Sequence, residues 1–188
     1  SEAVALLEAD GMQLTGVLAT HYHPDHVGGD LMGQVEVAGI TELLEHADVP
    51  IHVQEAEVPW VQRVTGVGAD QLRSHQGGDR VLVGSVEVEL VHTPGHTPGS
   101  QCFLVEGCLV AGDTLFLEGC GRTDLPGGDP EEMYRSLTER LAKVPDDTVL
   151  YPGHLYAPEA SASMGETRRY NHVFVPSSAA EWVAAFGR

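Results

Sequence analysis

The chain has 188 residues, 42% of them hydrophobic, which is enough to bury a sizeable core in a single domain spanning 1–188. No run approaches the roughly 20 apolar residues of a membrane helix, and the start lacks the basic and apolar stretches of a secretory signal, so a cytoplasmic protein with no membrane partner is expected. Against 10 basic residues stand 28 acidic ones, and the formal charge of −18 repels phosphate backbones and excludes nucleic acid as an expected partner.

Short apolar strands alternate with amphipathic helices between turns rich in Gly, Pro and Asp, the pattern of an α/β layered domain. Leu14 to Thr20 is a compact apolar run that predicts a strand ending at the first histidines. Val86, Val88 and Leu90 alternate with Glu87 and Glu89 at the two-residue strand period. Gln101 to Val105 and Cys108 to Ala111, separated by Glu106-Gly107, predict a hairpin. Asp129-Pro130-Glu131-Glu132 supplies an N-cap, a first-turn proline and acidic residues at the positive helix end, ahead of a stripe of Met133, Leu137 and Leu141. Thr148 to Tyr151 is a further short strand. Ser178 and Glu181, at capping-box spacing before Trp182 and Phe186, predict a closing helix. The three cysteines Cys102, Cys108 and Cys120 fit neither a disulfide framework nor a zinc ribbon and read as reduced core thiols. Cys120, inside Gly119-Cys120-Gly121-Arg122, has the one context in which a nucleophile is worth considering.

The densest chemistry lies in Thr20-His21-Tyr22-His23-Pro24-Asp25-His26, directly after the first strand. Histidines two apart at a strand end project from one face, so His21 and His23 can share an ion, while Asp25 and His26, beyond the stiff Pro24, turn into the next loop and can face a second. Three further ligand types each stand where a strand meets a glycine-bearing turn: His96 in Thr93-Pro94-Gly95-His96, Asp113 in Ala111-Gly112-Asp113, and His154 in Tyr151-Pro152-Gly153-His154. Five histidines and two carboxylates without a thiolate suit zinc foremost, with iron or manganese also fitting, and they exceed the four ligands of one structural zinc. Two divalent ions bridged by Asp113 is the economical arrangement, and a water between them would lose a proton near neutral pH. The remaining histidines, His46, His52, His75, His92 and His172, read as surface or supporting groups, with His92 the one placed to support His96.

These residues resemble the metallo-β-lactamase superfamily, whose fold is an αβ/βα sandwich of two sheets with metals at one edge. Gly119-Cys120-Gly121-Arg122, the following helix and Tyr151-Pro152-Gly153-His154-Leu155-Tyr156 look like its glyoxalase II and persulfide dioxygenase branch. The resemblance implies that His21, His23 and His96 hold one metal, that Asp25, His26 and His154 hold a second, and that Asp113 bridges. It further implies that Arg122 and Tyr156 line the thiol-bearing part of a substrate. The superfamily begins with strands ahead of its first helix, whereas Val4-Ala5-Leu6-Leu7 already reads as that helix, so the first sheet is expected to lack leading strands. Glyoxalase II enzymes also carry a helical C-terminal region that binds glutathione, and this chain stops soon after Phe186.

The function implied is a thioesterase of the hydroxyacylglutathione hydrolase type, acting on a small-molecule thioester through a metal-bound hydroxide that Asp25 orients and relieves of its proton. A departing thiolate, with a pKa of about 8.5, needs no dedicated acid. The alternative is a persulfide dioxygenase with a single Fe(II) on His21, His96 and Asp113, the facial pattern of two histidines and one carboxylate.

Overall fold

The computed structural model describes residues 2–31 and 33–187. Its chain divides into two compact units, Ser1–His75 and Gln76–Arg188.

The first unit runs α1 (Glu2–Ala9), β1 (Val17–Leu18), α2 (Pro24–Val27), β2 (Gly29–Leu31), β3 (Val35–Val37), α3 (Ile40–Leu44), β4 (Ile51–Gln54), α4 (Val58–Thr65) and β5 (Leu72–His75). The helix expected at Val4 to Leu7 is α1. Strands β1, β4 and β5 form a three-stranded parallel sheet in that order, with Val17 opposite Ile51 and Ile51 opposite Leu72. β2 and β3 form a separate antiparallel pair. Ala19, Tyr22, Val27, Ile51, Val53, Val61 and Leu72 make the buried core. The strand expected over Leu14 to Thr20 is paired only at Val17–Leu18, because β1 is an edge strand whose one neighbour is β4. Backbone bonds from Val17 N to Pro50 O and from Ala19 N to His52 O, both 3.0 Å, hold it in place up to the histidine motif.

The second unit contains β6 (Arg80–Val83), β7 (Val86–His92), β8 (Gln101–Val105), β9 (Cys108–Gly112), α5 (Pro130–Arg135), β10 (Val149–Pro152), β11 (Ala162–Ser163), α6 (Met164–Tyr170) and α7 (Ala179–Phe186). Its six-stranded sheet has the order β11-β10-β9-β8-β7-β6, antiparallel except for the β9–β10 pair. The β8–β9 hairpin forms as expected, with Glu106 and Gly107 both at positive φ (45° and 77°), the primed-turn geometry that matches strand twist. Leu109, Ala111, Leu150, Met133, Leu137, Leu141, Met164 and Trp182 bury together, and Trp182 Nε1 donates to Val173 O at 3.0 Å. Ser178 caps α7 by accepting from Glu181 N, as its spacing predicts.

The helix expected after Asp129 starts as predicted, with Asp129 accepting from Glu131 N and Glu132 N, but its course changes after Arg135. Ser136–Arg140 is π-helical, with Leu141 N–H reaching back to Ser136 O, and Leu141–Lys143 is a 3-10 turn. The packing explains the change. Gly95 presses on this helix so closely that a Cβ there would overlap Met133 Cα, and Ser136 Oγ donates to Pro94 O at 2.6 Å. A wider turn accommodates that contact and lets Arg140 reach both Ser136 Oγ (2.9 Å) and Glu132 Oε2 (2.7 Å). No helix among the described residues is long and apolar enough to cross a membrane.

Candidate metal-binding groups

In the first unit, the extended segment after β1 delivers His21, and the chain then closes into the single turn of α2. His23 is its N-cap in extended conformation and Pro24 occupies the first helical position, so Asp25 and His26 fall on a helical turn rather than in the expected loop. The fixed φ of proline and its missing N–H make that position favourable for starting a helix. His21 is buried, His23 and His26 are partly exposed, and Asp25 is exposed. The His21 ring lies 4.8 Å from that of His23, edge-on, and 4.1 Å from that of His26, while His26 Nε2 stands 3.8 Å from Asp25 Oδ2. Between the two shared-face histidines, Tyr22 turns the other way, buries, and stacks on Trp60 at 4.8 Å. This tight set of three imidazoles and a carboxylate is one that a divalent cation stabilises and that several imidazolium charges would oppose.

In the second unit the topology itself brings the ligand types together. β8 is antiparallel to both β7 and β9, and β10 is parallel to β9, so β7, β9 and β10 all run the same way and end at one sheet edge. His96, Asp113 and His154 follow those three ends, the edge at which layered α/β proteins assemble ligand sites. Asp113 Oδ2 lies 3.8 Å from His96 Nε2 and 3.3 Å from His154 Nε2. His96 Nδ1 is 2.7 Å from the carbonyl oxygen of Arg122, which can only accept, so Nδ1 carries the proton and Nε2 keeps its lone pair toward Asp113. A neutral imidazole fixed by a backbone carbonyl, with its other nitrogen beside a buried carboxylate, fits a metal ligand. The three side chains therefore suit a cation, and of the donor types present all are nitrogen or oxygen.

Close backbone contacts hold this group. Gly121 N donates to Asp113 O at 2.8 Å, and a Cβ on Gly121 would overlap that oxygen and come within 2.8 Å of His96 Nδ1. Gly153 N donates to Gly112 O, and its Cβ would lie 2.5 Å from Asp113 Oδ1. The His96 loop is fastened by Thr93 Oγ1 to Thr114 Oγ1 (2.8 Å), by Thr97 N to Ser100 Oγ (3.1 Å), and by His92 Nε2 donating to Pro98 O (3.0 Å). His92 thus supports the His96 loop as the sequence leads one to expect. Thr93, Thr114, Ser100 and Asn171 were not legible as supporting groups, since their partners lie on other elements.

Tyr156 is exposed, stacks on His154 with ring centroids 5.3 Å apart, and meets Phe116 edge-on at 5.0 Å. Arg122 is also exposed, and its guanidinium forks onto Asp124 through bonds of 2.8 and 2.7 Å. That partner raises the Arg122 pKa and lowers that of Asp124. Cys120 is far from a reactive thiol: burial pushes it up to about 12, and Cys102 up to about 11. Of the other histidines, His52 and His75 bond each other at 2.8 Å between β4 and β5, and His172 packs on Phe186.

An α/β chain with nitrogen and oxygen ligands gathered after its strand ends is a metallohydrolase-type protein. The family described as the metallo-beta-lactamase superfamily matches residues 1–154, and the chain belongs to it. It is 38% identical over 155 residues to a hydroxyacylglutathione hydrolase of Aeromonas hydrophila, an alignment covering 80% of this chain and 51% of that protein. The chain thus spans about half the length of that curated relative. The structure of ETHE1 from Myxococcus xanthus superposes with a TM-score of 0.79 at 28% identity, covering 97% of this chain and 72% of that one. TTHA1623 in a di-iron-bound form superposes with a TM-score of 0.70 at 29% identity, covering 91% and 83%. The fold class is accordingly the α/β metallo-β-lactamase fold expected from the sequence.

Proposed function

We propose that this chain is a metal-dependent thioesterase of the hydroxyacylglutathione hydrolase type, with one divalent ion on His21, His23 and His96, a second on Asp25, His26 and His154, and Asp113 between them. The observation that carries the reading is the approach of two imidazole Nε2 atoms to one oxygen of Asp113, with the His96 tautomer set by Arg122 O. The 38% identity to a hydroxyacylglutathione hydrolase supports the thioester as substrate class, and the di-iron form of TTHA1623 supports two ions, with zinc, iron or manganese all suited to the donors.

When bound, the ions would supply a water acidic enough to deprotonate near neutral pH and positive charge for the oxyanion of a tetrahedral intermediate. Asp25, the exposed carboxylate of the first group, holds a proton taken from that water and releases it to solvent. The Arg122 carbonyl keeps His96 in its ligating tautomer. Tyr156, stacked on His154, offers an exposed ring to the thiol-bearing arm of the substrate, and Arg122, oriented by Asp124, offers a fork for a carboxylate or carbonyl on that arm. A thiolate leaves without a protein acid because its pKa is about 8.5. Three free cysteines suit a reducing, cytoplasmic setting.

The test is hydrolysis of a panel of acyl-thiol esters by metal-loaded protein. Turnover that disappears in Asp113→Asn supports the assignment; no turnover on any thioester with metal bound refutes it.

A further inference from the structure

Asn171 ends α6, and its side chain is buried at 2% exposure with a full set of hydrogen bonds. Its Nδ2 donates to Phe116 O (3.0 Å) and Gly119 O (2.9 Å), and its Oδ1 accepts from Gly119 N (3.0 Å) and Val173 N (3.2 Å). Three of those four bonds seize a segment more than fifty residues away in sequence. That segment carries the groups that orient the second-unit ligands. Phe116 packs edge-on against Tyr156 and stands 6.2 Å from the His154 ring. Two residues beyond Gly119, Gly121 donates to Asp113 O and lies against His96, and the Arg122 carbonyl holds His96 Nδ1.

We propose that Asn171 is a positioning residue for the metal centre: by clasping Phe116 and Gly119 it sets where the Gly121–Arg122 backbone meets Asp113 and His96. The inference rests on the metal-binding reading above. Its chemistry is specific, because only a side-chain amide offers two donors and an acceptor in one plane. Aspartate has the same shape but no donor when ionised, and it turns a carboxylate oxygen against two carbonyls. Serine keeps an acceptor for Val173 N, as hydroxyls do at helix starts, but is too short to reach Phe116 O and Gly119 O.

The experiment compares Asn171→Asp and Asn171→Ser with Ser163→Ala, all in the full chain. Ser163 caps the opposite end of the same helix by accepting from Glu166 N at 3.2 Å and touches none of the ligand groups, so it lowers helix stability without releasing the clasp. Zinc affinity is read by chelator competition and ligand geometry by the visible absorption of the cobalt(II)-substituted protein. Both Asn171 variants are expected to lose about tenfold or more in zinc affinity and to shift the cobalt spectrum, as loss of groups that orient ligands generally does, while Ser163→Ala stays within about twofold of the parent. Parental affinity and spectrum in folded Asn171→Ser or Asn171→Asp overturns the proposal, as does an equal loss in Ser163→Ala. These readouts need no substrate: a parent that binds zinc but cleaves no thioester refutes the thioesterase and leaves the role of Asn171 standing.

Discussion

Gly121 touches two ligands at once, and space rather than backbone freedom makes it necessary. An added Cβ would overlap Asp113 O and press on the His96 ring, so Gly121→Ala must displace one of them. The expected cost is about 1–3 kcal/mol of stability, the range for overpacking a buried contact, together with at least tenfold weaker metal binding. Gly107, in the β8–β9 turn, is the converse case. Its φ of 77° favours glycine but nothing lies near a Cβ, so Gly107→Ala should cost about 1–2 kcal/mol and leave metal affinity unchanged. Urea unfolding and zinc titration of both variants check the contrast. Cys120 makes a third prediction at this scale. With its thiol pushed up to about 12 by burial it holds almost no thiolate at neutral pH, so Cys120→Ala should keep thioester turnover within about twofold of the parent, whereas a catalytic thiol would take the activity with it.

At the scale of the elements, His52 and His75 join β4 to β5 through their ring nitrogens. Burial, then the neighbouring His75 and Arg73, lower the pKa of His52. The unfolded chain takes up the proton near 6.5 and the folded chain resists it, so this pair contributes stability that is present above about pH 6.5 and lost as pH falls below it. Comparing urea midpoints at neutral and mildly acidic pH should show a smaller acid loss in His52→Gln than in the parent; an identical loss would remove His52 as its source. Elements governed by adjacent residues were legible in the sequence. The β8–β9 hairpin followed from Glu106-Gly107, the start of α5 from Asp129-Pro130, and α7 from Ser178 and Glu181. Elements whose course depends on distant contacts were not. The π-helical turn at Ser136–Arg140 answers to Pro94 and Gly95, and the two paired residues of β1 reflect its edge position beside β4.

Over the whole molecule the same distinction applies to ligands and their supports. The seven ligand-type side chains were legible because each follows a strand in a short, ligand-rich or glycine-bearing segment. Their supports were not, since Asn171 meets Phe116 and Gly119 only after the chain has folded. The charge of −18 works at this scale too. Its self-repulsion favours screening, and the same field concentrates divalent cations near the chain. The central claim is a two-metal hydrolase, and metal stoichiometry measures it most directly. Elemental analysis of the purified, metal-replete chain should give two divalent ions per chain, with no oxygen uptake when a persulfide is added. A single iron per chain with persulfide-dependent oxygen uptake would contradict the account and place the chemistry on His21, His96 and Asp113 alone.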